Sequence, residues 1–216
     1  MHRTKSLRRC SIAVALAMAL LAWPAISDAQ LGGLLPSPST TTSSTVVGDA
    51  SAVRVSVLGI LGTATTTALA DTGPIGSNDA QDASMVMGGV PSTLTAETLS
   101  STAISWADEV DSAASLGNLS MTVAGVGVTA DFVMAQASQV LGAPGSGSST
   151  LTNLSINGTP IAVTGAPNQA IWVPGGQVII NEQTVSSTGT AVVNALHLIV
   201  TGVADVVIAS ATAGVS

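Results

Sequence analysis

The chain has 216 residues, with 5 Lys+Arg, 12 Asp+Glu, one Cys and no Tyr, so its formal charge of -7 arises from few ionised groups. Too few basic residues exist to neutralise a run of phosphates, which excludes nucleic-acid binding by its main driving term. One cysteine excludes an internal disulfide and a thiolate metal cage.

In chain order, Arg3, Lys5, Arg8 and Arg9 precede an apolar run from Ile12 to Trp23, and small residues close the segment at Ser27-Asp28-Ala29. This pattern predicts a secretory signal helix over 1–29, cleaved after Ala29. The run is shorter than the roughly 20 residues a bilayer span needs, and Pro24 follows it, so no membrane span is expected after cleavage. Cys10 precedes the apolar run, which argues against lipid attachment at the cleavage site. Cleavage takes away four basic side chains and Asp28, so the charge moves from -7 to -10 and Arg54 becomes the sole Lys or Arg. Such a surface repels nucleic acid and anionic lipid.

Residues 30–47, from Gln30 to Val47, mix Gly, Pro, Ser and Thr without apolar period and read as a disordered leader. From 48 to 216 the texture becomes short Val, Ile, Leu, Ala and Thr runs broken by Gly, Asn, Asp and Pro, the writing of strands and turns in a single β-rich domain. Val53, Val55 and Val57 alternate with Arg54 and Ser56, predicting a half-buried strand to Ile60. Further strands are predicted at 94–103, 119–128, 129–138, 151–163, 170–173, 177–185, 191–200 and 203–211. Asn157-Gly158 carries the sharpest hairpin signal, and Pro174-Gly175-Gly176 a further turn. One short helix is predicted near 105–116, where Ser105 stands as cap before Trp106, Val110, Ala113 and Ala114. The fold class is all-β, an antiparallel β-sandwich-like domain.

Weak repeats run through these strands. Thr95-Ala96-Glu97, Thr129-Ala130-Asp131 and Val203-Ala204-Asp205 place alanine and an acid in register, while Asn118-Leu119-Ser120 and Asn153-Leu154-Ser155 open two apolar runs. Their irregular spacing fits similar strands in one sandwich rather than a solenoid.

Candidate chemistry is sparse. Asp71-Thr72-Gly73 resembles the aspartic-protease loop, but Pro74 follows it and no second copy exists, so a paired carboxylate would require a dimer. His197 is the sole histidine after 29, and no Gly-x-Ser-x-Gly accompanies it; a packed histidine bonded to backbone, sharing a face with Val193, Ala195 and Ile199, is expected. Asp108, Glu109 and Asp111 form the densest acid cluster, without the Asp-x-Asp-x-Asp-Gly spacing of a calcium loop. Asn181-Glu182-Gln183 interrupts an apolar strand, so one of the three must face inward or the strand must end. Arg54, the only cation, is expected to pair with a carboxylate, Glu182 first. Arg54, Glu182 and His197 are thus structural polar candidates. No catalytic, cofactor or metal residue is assigned. Trp172, beside Pro174, is the aromatic expected to be exposed.

Taken together, Leu151-Thr-Asn-Leu-Ser-Ile-Asn-Gly-Thr-Pro160, Ala166-Pro-Asn-Gln169, Ile180-Asn-Glu-Gln183, Asn194-Ala-Leu-His-Leu198 and Ala204-Asp-Val-Val-Ile-Ala-Ser210 resemble the bacterial choice-of-anchor P family. The resemblance covers residues 117–211 and, more loosely, the chain from 48. It implies an exported bacterial domain joined in other members to varied C-terminal anchors, and supplies no catalytic residues. The ending Ala211-Thr-Ala-Gly-Val-Ser216 carries no apolar tail, basic cluster or sortase-type motif, so a secreted or periplasmic location is expected. The functional expectation is a non-enzymatic surface, matrix or adhesion-type domain with an envelope or extracellular partner. The alternative is a secreted hydrolase acting through Asp71 in a dimer or through His197.

Overall fold

The computed structural model describes residues 45–58 and 63–216; the predicted signal helix and the leader up to 44 lie outside the described residues, as do Gly59 and Ile60. Two antiparallel sheets pack face to face. The strands are β1 (Val46–Leu58), β2 (Ala64–Asp71), β3 (Ala80–Val90), β4 (Leu94–Ser105), β5 (Glu109–Val123), β6 (Val126–Val140), β7 (Ser146–Thr152), β8 (Ser155–Ile156), β9 (Thr159–Pro160), β10 (Gln169–Val173), β11 (Gly176–Val185), β12 (Ala191–Val200) and β13 (Ala204–Val215). The first sheet runs β10-β11-β12-β13-β1-β2. The second runs β3-β4-β5-β6-β8-β9, with β7 also on β6. No helix occurs among the described residues.

The start of the domain moves forward from residue 48. Val46 and Val47 pair with Val215 and Gly214, and Thr45 exchanges two backbone hydrogen bonds with Ser216, at 2.7 and 3.0 Å. The predicted helix at 105–116 is corrected as well. Ser105 ends β4, Trp106 to Asp108 make the turn, and Val110, Ser112, Ala114 and Leu116 of β5 are all buried at period two. That inward row buries more than the helical face would, and the Ser105 hydroxyl is committed to the Gly76 carbonyl and the Asp79 amide rather than to a cap. The predicted strand 119–128 is a hairpin: Ala124 and Gly125 adopt φ of 49° and 82° and reverse the chain between β5 and β6. The span 151–163 holds the end of β7, β8 and β9, with Asn157 and Gly158 at φ of 49° and 75° in the foreseen hairpin. β2 and β3 were not foreseen.

A transverse crease crosses each sheet. In the first, Asn181, Ala195, Ala209, Ala52 and Ala70 lie opposite one another on five successive strands and drop out of the ladder, while the register on either side is unchanged. Asn181, Ala209 and Ala70 have φ of 52°, 52° and 44°, a left-handed conformation costing about 1 kcal/mol in an L residue. Small side chains suit the crowded line. In the second sheet the corresponding positions are Thr98, Asn118 and Asn153, with φ of 48°, 47° and 54°. Crossing a crease shifts the inward phase by one residue. Thus β4 buries Leu94 and Ala96 before the crease but Leu99, Ser101 and Ala103 after it.

The weak repeats are these creases. Asn118 donates to Glu97 at 2.7 Å and Asn153 donates to Asp131 at 2.6 Å, each from one strand to its neighbour, and Leu119 and Leu154 follow into the core. The acid of one repeat receives the amide of the other. The third acid, Asp205, lies away from the crease of β13 and has another role.

Gln139 ties the sheets at one end. It is 2 % exposed; its carbonyl accepts from the Val215 amide at 2.9 Å, and its Nε2 donates to the Ala143 and Thr188 carbonyls at 3.0 and 3.3 Å. A buried amide with its partners in place contributes on the order of 1 kcal/mol per bond, whereas its loss orphans a buried amide proton on β13.

Candidate functional site: paired charges on one outer face

The crease decides which way His197 points. Ala195 and Leu196 are both buried across it, so Val193 and Ala195 face the core before it, and Leu196 and Leu198 face the core after it. His197 therefore shares the outer face with Asn194 and Ile199. The expectation that it lies beside Val193 and Ala195 counted straight through the shift. Its expected backbone bond is also replaced: Nδ1 lies 2.8 Å from Glu182 Oε2 on β11, and Nε2 lies 3.0 Å from Asp205 Oδ1 on β13. Asn194 donates to the same Glu182 oxygen at 2.6 Å. The His197 side chain is 14 % exposed, Glu182 22 % and Asp205 55 %. A neutral imidazole has one N–H, so both contacts are hydrogen bonds only in the imidazolium form.

Asn181 is the inward member of Asn181-Glu182-Gln183, and the strand continues through it. It is 4 % exposed, donates to the Gly165 carbonyl at 3.0 Å and accepts from Gln183 at 2.8 Å. Glu182 next to it is thereby turned outward.

Arg54 does not pair with Glu182. Its Nη2 lies 3.2 Å from Asp49 and 3.7 Å from Asp71, on β1 and at the end of β2. Glu182 lies on β11, and β12 and β13 intervene between it and β1. The second Asp49 oxygen is buried without a hydrogen-bond partner. Asp71-Thr72-Gly73 is a stitched turn: Asp71 accepts from the Gly73 amide at 3.0 Å, and the Thr72 hydroxyl meets the Ala50 amide at 3.0 Å.

The first sheet's outer face thus carries both bases of the described residues, each between two acids. Register aligns them: His197 and Arg54 both stand opposite Val207, two strands apart and so about 10 Å from each other. Neither grouping chelates, because the two acids around His197 sit on opposite nitrogens. Among the described residues no three His, Cys, Asp or Glu side chains converge on a common point as a metal site would require. Asp108 lies in the β4–β5 turn, with Glu109 and Asp111 at the start of β5.

The second sheet's outer face is different. Its largest depression, about 620 Å³, is floored by two cross-strand rows, Thr102, Ala113, Gln136 and Ser148, then Ile104, Asp111, Ser138 and Ser146. Its lining mixes the hydroxyl and amide groups of Thr102, Gln136, Ser138, Ser146 and Ser148 with apolar carbon, Ile104 and Ala113 included, and the apolar part is the larger. Trp172 stands 80 % exposed on β10, as expected, and Trp106 is 45 % exposed in its turn.

Fold and site define a two-sheet antiparallel β-sandwich in which each of the two bases among the described residues sits between two carboxylates. Comparison with known proteins found no matching family model, curated protein or solved structure. No helix among the described residues is long and apolar enough to cross a membrane.

Proposed function

We propose that the chain is an exported, non-enzymatic domain of surface, matrix or adhesion type, secreted or periplasmic and related in kind to the choice-of-anchor P proteins. The observation that carries this reading is the closure of its ionic groups. His197 has both ring nitrogens against carboxylates, and Arg54 is held by two aspartates, so the groups best suited to proton transfer or anion binding serve strand-to-strand cohesion. The depression on the second sheet is open and free of aromatic side chains and mixes hydroxyl and amide groups with apolar carbon, which fits a broad contact surface better than an enclosed small-molecule pocket. The N-terminal charge pattern and apolar run support export.

The hydrolase reading keeps one observation in its favour, the Glu182–His197 contact, which resembles the acid and base of a triad. Against it, Nε2 faces Asp205, where a nucleophile would stand. Fractionation of expressing cells, with the mass of the recovered chain, tests export: a species starting at Gln30 outside the cytoplasm supports the reading, and a full-length cytoplasmic chain refutes it. Ester and peptide hydrolysis by purified wild type and His197→Gln separates the alternatives. Turnover that disappears with His197 would establish the hydrolase; no difference between the two supports the binding domain.

A further inference from the structure

The two sheets end in edge strands of different character. β10 has five residues, β9 two, β7 reads Ser-Gly-Ser-Ser-Thr-Leu-Thr, and β2 carries Thr65-Thr66-Thr67. β3 is the long apolar one. It has 11 residues, bonds only to β4 among the described strands, and exposes Met85, Val86 and Met87 by 39 %, 81 % and 72 %. The crease crosses it at Val86, which drops out of the ladder with β4 where Thr98 turns to positive φ. Met85 therefore stands beside buried Leu99 on the core side, and Met87 beside exposed Glu97 on the outer side, so each side of the edge carries an uncovered thioether. Such an edge also presents a row of unpaired backbone N–H and C=O groups, whose geometric complement is another extended chain. Lysine or proline commonly blunts edges of this kind; β3 contains neither.

Charge narrows the occupant. Both bases of the described residues, Arg54 and His197, lie on the first sheet, each already between two acids. The second sheet carries acids and no base among its described strands. Asp82 is exposed on the outer side of β3, opposite Thr102, and has no ion pair among the described residues. A second copy of the domain cannot supply a lysine or arginine from a free strand, because Arg54 is the only one after residue 29 and lies within β1.

We propose that β3 accepts an extended segment of a different, basic protein as an added antiparallel strand. A Lys or Arg of that segment stands opposite Asp82, and its apolar side chains cover Met85, Val86 and Met87. The backbone ladder holds the segment, and the cation selects it, since an acid in its place would face Asp82 directly. An added strand buries less than the roughly 1,200 Å² of a stable interface, so an affinity of about 10 µM to 1 mM is expected. The inference stands apart from the proposed function: strand addition can fail while export holds, and the reverse.

Labelled synthetic peptides of about ten residues read the binding by fluorescence anisotropy. They alternate valine and threonine and carry lysine near the C-terminal end, which antiparallel pairing sets opposite Asp82. The lysine peptide is expected to bind the full chain at least about fivefold more tightly than its glutamate counterpart. Asp82→Lys should invert that preference, while Asp108→Lys, the same charge change in the β4–β5 turn, leaves its direction unchanged. Strand pairing is read from the peptide backbone. Methylation of alternate amide nitrogens should abolish binding in one phase and spare it in the other, because alternate amides of a strand point to the same side. No binding at about 1 mM, equal binding by every methylated form, a preference that Asp82→Lys leaves unchanged, or equally tight binding of a cationic glucosamine oligomer would each overturn the proposal. Asp82 is exposed, and a circular-dichroism spectrum unchanged from wild type confirms that each variant is folded.

Discussion

The two ionic groupings on the first sheet have the same plan and different settings. Arg54 lies toward one edge of the sheet, more than a third exposed, and is attached at 3.2 and 3.7 Å to Asp49 and Asp71. His197 lies on β12, between β11 and β13, is mostly covered, and meets Glu182 and Asp205 at 2.8 and 3.0 Å. The difference teaches that one grouping is a solvent-screened surface pair and the other a mostly covered clamp across three strands.

Removing the bases should separate the two most strongly. His197→Ala leaves Glu182 partly buried with only Asn194, and is expected to cost about 2 kcal/mol at pH 6 in urea unfolding. Arg54→Ala removes contacts that water and salt already weaken, and should cost less than about 1 kcal/mol. Equal losses would erase the distinction. Next in size is Asn194→Ala, which removes the 2.6 Å donor to Glu182 and should cost about 1 kcal/mol, a loss reduced when His197→Ala is already present because the two share one acceptor. Salt gives the smallest effect. Raising NaCl from 0.1 to 1 M should diminish the coupling of Arg54 with Asp49, by a few tenths of a kcal/mol, more than that of His197 with Glu182, because exposed pairs are screened more fully. A double-mutant cycle for each pair at both salt concentrations checks the order.

Much of the architecture was legible because strands announce themselves by local texture. β12 has the predicted bounds of 191–200, the Asn157-Gly158 turn adopts the required positive φ, and the sandwich class follows from many short apolar runs broken by turn residues. What was illegible traces to the creases. Period-two reading assumes that the inward face never changes phase, yet Thr98, Asn118, Asn181 and Ala209 each mark a line where it does. Alanine and threonine with positive φ give no local signal, unlike glycine. That is why His197 was placed on the wrong face. β5 failed for a related reason: Ser112 and Ala114 are buried in a strand, but small and polar residues mimic a weak helical face. β3 lacked a signal because few of its residues are covered: Ala83 and Val90 pack against the core at odd and even positions, which shows no period two.

For the site, the right residues were found without their partners. Arg54, Glu182 and His197 were recognisable as unusual in a chain poor in charge. Their pairing depends on strand order, which places β12 between β11 and β13 and sets β1 two strands away from β12. Asp205 was visible only as part of a repeat, and Asp49 carried no signal at all.

The central claim is that the ionisable groups of the first sheet act as cohesion between strands, with the Glu182–His197 contact as its strongest member. It is tested most directly by the coupling energy between Glu182 and His197, from a cycle of Glu182→Gln, His197→Gln and the double variant in urea unfolding. The two side chains meet at 2.8 Å and are mostly covered, so water and salt weaken the contact little. The account predicts a coupling of about 1–2 kcal/mol. Additive losses would contradict it.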